Sequence, residues 1–392
     1  MNQLLHPRRV LMTADTVGGV WTYALELTRA LARHGIAIGL ATMGAPMSMT
    51  QKAEAAAESN LTLFESAYKL EWMTDSRRDV ERAGHWLLEL EQSFQPDLVH
   101  LNGFAHGALP WECPRLVVGH SCVLSWWRAV RGSEAPAEWD DYREGVITGL
   151  QAADLVVAPS RTMLQSLIRD YGPFKRSRVI YNGRRLPSIK PRKKHDLVFA
   201  AGRLWDDAKN IGTLATAAKK LEWPVLIAGA EADPDGNLAR FRNLSCLGNL
   251  SPTDMAGALQ RAAIYALPAR YEPFGLSALE AALSHCALVL GDIPSLREIW
   301  EDAAVYVDPD DAVALQATLS GLIADPHERA RLADAAFAQA QRYTPETMAD
   351  VYMHAYAELL ARRVAAANEP EAAPAVASSD SNAAPLAAGT GS

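Results

Sequence analysis

Residues 264–291, IYALPARYEPFGLSALEAALSHCALVLG, constrain the fold more than any other stretch of this chain. An apolar run at 264–267 leads through a short polar loop to Gly275, then to a helical pattern over 276–284 and a second apolar run at 287–290. That spacing predicts strand, loop, helix, strand. The theme recurs along the chain. Further strands are expected at 9–14, 36–42, 61–64, 97–103, 115–121, 154–160 and 178–183, and then at 197–202, 225–230, 245–250 and 303–309. Helical patterns fall at 76–94, 138–153, 161–172, 210–221, 251–262 and, as a pair, within 311–343. Strands and helices alternating without hairpin signals imply parallel sheets with helices on both faces.

With 392 residues the chain exceeds one ordinary core, and at roughly 150 residues per domain it should form two or three. The pattern breaks at RRLPSIKPRKKH (184–195), where two prolines and dense positive charge read as a linker. The expected division is an N-terminal domain at 1–185, a basic linker at 186–195, a C-terminal domain at 196–343, a last helix at 344–363 and a tail at 364–392. Thr344 and Pro345 supply the cap and first turn of that helix, while the Ala, Pro, Ser and Glu composition beyond it predicts disorder.

A net charge of −8 argues against a nucleic-acid partner, which needs a basic footprint. The local basic run at Lys175, Arg176 and Arg178, continuing through Arg184, Arg185, Lys190, Arg192, Lys193 and Lys194, is either a solvated linker or a peripheral membrane contact. Cys113, Cys122, Cys246 and Cys286 lack metal-type spacing and suit a reducing compartment. No stretch reaches the roughly 18 apolar residues of a membrane helix, and the N-terminus is too short and interrupted for a signal peptide. A cytoplasmic protein is expected, with peripheral contact at the inner face of the membrane as the alternative the basic run offers.

Chemistry concentrates in the loops that follow strands. Glu272 stands at the mouth of the 276–284 helix and Glu280 within it, just over two turns on, so the two carboxylates can hold opposite ends of one elongated ligand. Between them Phe274, Gly275, Leu276 and Ser277 offer backbone N–H groups to an anion, and Gly275 lets the backbone approach closely. Arg203 ends the 197–202 strand and Lys209 follows six residues later; a guanidinium fork and a point charge can converge on one diphosphate. Near the N-terminus, Gly18 and Gly19 open a helix carrying Val20, Tyr23, Leu27 and Leu31 on one face, which is either another anion site or a plain tight turn. His100 and His120 each close an apolar run, where strand ends border a binding crevice; His106 follows close behind His100. Trp126 and Trp127 could form a stacking platform for an acceptor sugar, a wall against an acyl chain, or part of the core.

The run EPFGLSALE, with Glu272 and Glu280 at its ends, resembles the signature of the retaining glycosyltransferases of family 4. A Gly-Arg-Leu at 202–204 with a downstream Lys209 is similar to that family's second signature. The resemblance implies the GT-B fold, an α/β architecture of two Rossmann-like doubly wound domains facing a central cleft, with the last helix crossing back to the N-terminal domain. It implies that Glu272 contacts the transferred sugar, Glu280 the nucleotide ribose, and the amides at Phe274, Gly275, Leu276 and Ser277 the sugar and phosphate. Arg203 and Lys209 would hold the pyrophosphate, Gly19 would touch donor or acceptor, and His120 would stand near the reacting sugar. His100, Trp126 and Trp127 would belong to the acceptor side.

The implied reaction moves a sugar from a nucleotide-diphosphate donor to a hydroxyl of a sugar or lipid-linked acceptor. A double-displacement pair of carboxylates would flank the anomeric carbon about 5 Å apart. Glu272 and Glu280 serve different ends of the donor, so attack on the same face, without a covalent sugar, is expected. No metal or other cofactor is required on this reading. A GT-B-shaped nucleotide-sugar epimerase, or a silent glycan-binding protein, would share the scaffold. An NAD-dependent oxidoreductase would need the spaced three-glycine fingerprint that TVGGV lacks.

Overall fold

The computed structural model describes residues 6–368 except 189, 191 and 242. Two parallel sheets carry the architecture. The first contains β1 (Arg9–Asp15), β2 (Ala37–Met43), β3 (Leu61–Glu65), β4 (Leu98–Leu101), β5 (Arg115–Val118), β6 (Leu155–Ala158) and β7 (Ser177–Val179), in the order 3-2-1-4-5-6-7. The second contains β8 (His195–Ala201), β9 (Val225–Ala228), β10 (Ser245–Cys246), β11 (Ala262–Leu267), β12 (Ala287–Gly291) and β13 (Val305–Val307), in the order 10-9-8-11-12-13. Each order reverses once, between β1 and β4 in the first sheet and between β8 and β11 in the second. Ligands of doubly wound sheets bind outside the strand ends at that reversal. The fold is therefore two Rossmann-like units of the GT-B type.

Period-two alternation sets what each strand face buries. On β1, β4, β5 and β6, the residues Val10, Met12, Ala14, Leu98, Leu116, Val118, Leu155 and Val157 share one core layer. Leu11, Val99, Leu101, Val117, Val156 and Ala158 face the other. The first layer is completed from the far end of the chain. Helix Pro345–Asn368 inserts Met348, Tyr352, Met353, Tyr356 and Leu359 beside Tyr23 and Leu27 of helix Gly19–Leu31. At roughly 1.5–3 kcal/mol for each fully buried large side chain, that docking is a main part of the N-terminal domain's stability. The helix runs five residues past the expected end at 363; the rest of the expected tail lies outside the described residues.

The chain passes between the sheets twice, after β7 and before Pro345, and the two crossings touch. Arg184 N donates to Tyr343 O (3.1 Å), and a Cβ on Gly183 would stand 2.2 Å from Thr344 O, so only glycine fits. Glu298, on helix Pro294–Trp300, accepts from Arg161 N (2.7 Å) and Thr162 N (2.9 Å), satisfying the open amides of helix Arg161–Tyr171 across the domain boundary.

Much of the basic run is engaged internally. Arg178 pairs with Glu358 (2.9 Å), Arg185 with Glu346 (2.7 Å), and Lys194 Nζ donates to the carbonyls of Leu259, Ala262 and Ser284. Arg178 and Arg185 fasten the last helix to β7 and to the crossing that follows it, while Lys194 anchors the start of β8 within the second domain. Among the described residues no helix is long and apolar enough to cross a membrane.

Candidate active site

Loops at the two sheet reversals face each other. β8 ends at Ala201 and delivers Arg203; the loop then turns at Asp206, whose Oδ1 accepts Ala208 N (3.0 Å), and presents Lys209. β11 ends at Leu267 and its loop delivers Glu272, Gly275 and helix Leu276–Leu283. Tyr265, fully buried on β11, bonds to Ala201 O (3.2 Å) and Ser277 Oγ (2.8 Å), and so fixes the helix mouth against β8.

Glu272 sits between the mouth and the lysine. Its Oε1 accepts Gly275 N (3.1 Å) and its Oε2 forms an ion pair with Lys209 Nζ, the side chains being 11% and 14% exposed. Gly275 occupies the left-handed region (φ 91°), where a β-carbon would be strained. The first intrahelical bond is Leu279 N to Gly275 O, so the N–H groups of Leu276, Ser277 and Ala278 remain open at the positive end of the helix dipole.

A second helix mouth opens opposite. Asp15, at the end of β1, accepts the N–H groups of Val17 (3.0 Å) and Gly18 (2.9 Å) and shapes the turn into helix Gly19–Leu31. Burial pushes the Asp15 carboxyl up, against the pull of Gly18 N–H and Arg203. A Cβ on Gly18 would stand 3.2 Å from Arg203 Nη1, and one on Gly19 would stand 3.5 Å from Leu276 Cδ1. Two helix N-termini, Arg203 and Lys209 thus converge on one space.

Burial alone would raise the Asp206 carboxyl, but Arg203, Lys209 and Trp126 hold it below its ordinary value. Asp206 Oδ2 accepts Arg203 Nη2 (2.7 Å), keeping the guanidinium over Trp205, while its Oδ1 also accepts Trp126 Nε1 (3.0 Å) from the first domain.

His120 follows β5, half-buried. Asn102 Nδ2 donates to Thr13 O (2.7 Å), which turns Oδ1 toward His120 Nε2 at 2.8 Å. Nε2 therefore carries the proton and Nδ1 keeps its lone pair. Burial pushes the ring's pKa down to about 3, so the imidazole is neutral near pH 7. Tyr271, adjacent to Glu272, meets Cys122 N (3.1 Å) and Ser125 Oγ (2.8 Å), bringing the His120 loop alongside the Glu272 loop. Asn102 was not singled out in the sequence, although it lies in the strand-end run DLVHLNG that drew attention to His100.

Several expected residues do something other than anticipated. His100 does not reach the cleft. It is fully buried with Nδ1 accepting from Tyr356 (2.7 Å) and Nε2 donating to Tyr23 (3.1 Å), which in turn donates to Tyr352 (2.6 Å). Burial lowers its pKa to about 3. His106 is also buried, bonded to Val80 O (3.0 Å). Trp126 faces the second domain but is a strut: its N–H is committed to Asp206 and Arg131 lies over its ring. Trp127 packs beside Trp126 and Trp139 and donates to Ser133 Oγ (3.2 Å), so it supports the first core. Both belong to helix Val123–Arg131, an element outside the expected helices. The Phe274 ring is buried edge-on against Tyr343, leaving only its backbone for the site. Glu280 lies deeper, with Oε1 accepting Arg184 Nε (2.6 Å).

Two facing Rossmann-like units make the fold GT-B, and the family matches that follow make this chain a glycosyl-transferring enzyme. The model described as Glycosyltransferase Family 4 matches residues 17–186, and that described as Glycosyl transferases group 1 matches residues 185–339. A D-inositol 3-phosphate glycosyltransferase of Xylanimonas cellulosilytica is 25% identical over 89% of this chain and 93% of its own. A glycogen synthase of Mycobacterium tuberculosis is 28% identical over 68% of this chain and 70% of its own. Among solved structures, sucrose-phosphate synthase from Thermosynechococcus elongatus superposes with a TM-score of 0.74 at 18% identity, covering 91% of this chain and 100% of that one. Anabaena HepE, crystallised with UDP and glucose, gives a TM-score of 0.69 at 17% identity, covering 90% and 100%.

Proposed function

We propose that the protein is a retaining glycosyltransferase of the family 4 type, moving a sugar from a nucleotide-diphosphate donor to a hydroxyl acceptor. One observation carries this reading: the open amides of Leu276, Ser277 and Ala278, the Gly18 and Gly19 mouth, Arg203 and Lys209 all face one space. Such an arrangement is preorganised for a leaving diphosphate, whose charge grows as the glycosidic bond breaks. HepE, a protein of the same fold, holds UDP and glucose, which supports a nucleotide-sugar donor.

In this mechanism the diphosphate displaces Glu272 from Lys209. The freed carboxylate then accepts hydroxyls of the transferred sugar, while Glu280 accepts those of the ribose. As the anomeric carbon becomes oxocarbenium-like, Arg203, Lys209 and the helix amides take up the negative charge of the departing oxygen. The acceptor hydroxyl attacks the face just vacated and passes its proton to that oxygen, so no covalent sugar forms and the positive charge comes from side chains rather than a metal ion. His120, neutral with Nδ1 open, accepts a hydrogen bond from the sugar or acceptor.

The test supplies UDP-, GDP- and ADP-linked sugars with panels of polyol, glycan and lipid-linked acceptors, and follows products by mass and anomeric NMR. Transfer with the donor's anomeric configuration supports the proposal. Inverted product, donor isomerised without an acceptor, or nucleotide binding without turnover in every combination contradicts it.

A further inference from the structure

The inner end of the cleft holds a charge triad. Glu26 lies about two turns along helix Gly19–Leu31 from its mouth, Arg184 belongs to the first chain crossing, and Glu280 lies on helix Leu276–Leu283. Arg184 Nε donates to Glu280 Oε1 (2.6 Å) and Arg184 Nη1 pairs with Glu26 Oε1. The side chains of Glu26, Arg184 and Glu280 are 2%, 12% and 13% exposed. Among the described residues Arg29 is the one other cation at Glu26, 3.3 Å from Oε1.

Two features separate this triad from an ordinary stabilising ion pair. Burying three charges costs several kcal/mol apiece, and well-packed apolar side chains commonly serve stability as well or better. Moreover, Glu26 Oε2 is buried with no hydrogen-bond partner among the described residues, an added cost. The arrangement is therefore poor as a device for stability alone, and its geometry fits another use. Arg184 occupies Oε1 of Glu280, and among the described residues Oε2 has no hydrogen-bond partner. It does so where the two chain crossings touch, at Gly183 against Thr344 and Arg184 N on Tyr343 O, so a change in the angle between the domains displaces this point least.

We infer that Arg184, gripped by Glu26 of the first domain, is a positioning residue for the ribose of the donor: it fixes one oxygen of Glu280 and presents the other to the ribose hydroxyls. The inference rests on the assignment of Glu280 made under Proposed function. A glutamate left to itself loses rotamer freedom when it binds, and a carboxylate already held by a guanidinium has lost it beforehand. Glu26, which touches no part of the donor, thereby tunes affinity for the nucleoside from the opposite domain.

The test begins with calorimetric titration of UDP, GDP and ADP to find the base that binds. That nucleotide and its 2′,3′-dideoxy form are then titrated into wild type, Arg184→Met, Arg184→Lys, Glu26→Gln and Glu280→Ala, with melting temperatures recorded. Wild type should favour the ribose form by roughly tenfold or more, the worth of a charge-assisted hydrogen bond. Arg184→Met and Glu280→Ala should bring that preference close to unity while the dideoxy form binds as before. Arg184→Lys and Glu26→Gln should retain part of it. In turnover, the donor KM of Arg184→Met should rise more than kcat falls. A merely structural Arg184 would lower the affinity for both forms together and leave their ratio at the wild-type value, which overturns the inference. If Arg184→Met does not fold, a wild-type ratio in the near-isosteric Glu26→Gln overturns it equally. A wild type without ribose preference, or a Glu280→Ala variant that keeps it, instead refutes the Glu280 assignment and the inference with it.

Discussion

Lys209 and Glu272 form an ion pair in the proposed donor site, so on that reading each has two roles and the two respond differently to replacement. Glu272→Ala should cut turnover at least about 100-fold, the scale of a lost transition-state contact, while nucleotide affinity rises, because the diphosphate no longer has to displace a carboxylate from Lys209. Lys209→Ala should weaken both. Without nucleotide each variant should be less stable by about 3 kcal/mol, the low end for a broken buried pair. Added nucleoside diphosphate should close the gap in melting temperature for Glu272→Ala, because phosphate repairs the orphaned ammonium, but not for Lys209→Ala. Equal rescue of both would contradict the pairing. Asn102 offers a second test, since it fixes the His120 tautomer through Thr13. In wild type the neutral ring adds no inflection to the pH–rate profile between about pH 6 and 8. Asn102→Asp places a negative charge against the ring, and should raise its pKa and introduce one.

At the scale of elements, the histidines show how far sequence reasoning reached. Every expected strand is present; the central ones, buried on both faces, leave unbroken apolar runs that can be read locally, whereas the edge strands β3, β7 and β10 keep exposed residues. The strand-end argument placed His120 at the cleft edge, where it stands, but misplaced His100. His100 lies inside β4, opposite Met12 in register, and shares a face with Leu98. Alternation alone assigns it to that face; that tyrosines of a helix 250 residues onward would satisfy it is non-local information no window contains. The same holds for Trp126, whose partner Asp206 lies in the other domain, and for Glu280, whose partner Arg184 looked like part of a solvated charge run. The buried His100 also has a pH consequence. Its folded pKa, about 3, lies below the ordinary value near 6.5, so below pH 6.5 the unfolded chain binds a proton that the native state refuses. Its contribution to stability therefore declines as pH falls from about 6.5 toward 3. Buried Asp15, Glu26 and Glu71, with raised pKa values, act in the opposite sense. The contribution is isolated by comparing melting temperatures of wild type and His100→Gln between pH 7 and 5: the wild type should lose more stability over that range, and parallel curves would refute the assignment.

For the whole molecule, the proposed mechanism depends on two domains held so that a helix mouth from each faces the same diphosphate. The touching chain crossings set that relation. Gly183→Ala forces a methyl onto the Thr344 carbonyl and should destabilise the protein by roughly 1–3 kcal/mol, as overpacking does, seen as a lower calorimetric melting temperature. An unchanged melting temperature would mean that the crossings are looser than described. The strand–loop–helix–strand at 264–291 made one half of the cleft legible in advance; the other half, with Gly18 against Arg203 and Gly19 against Leu276, exists only once both domains are assembled. The most direct measurement is a crystal structure of the protein with its preferred nucleoside diphosphate. The account predicts the diphosphate on Arg203, Lys209 and the amides of Leu276, Ser277 and Ala278, with Lys209 released from Glu272 and the ribose on Glu280. A diphosphate bound elsewhere, or a Lys209–Glu272 pair still intact beside it, would contradict it.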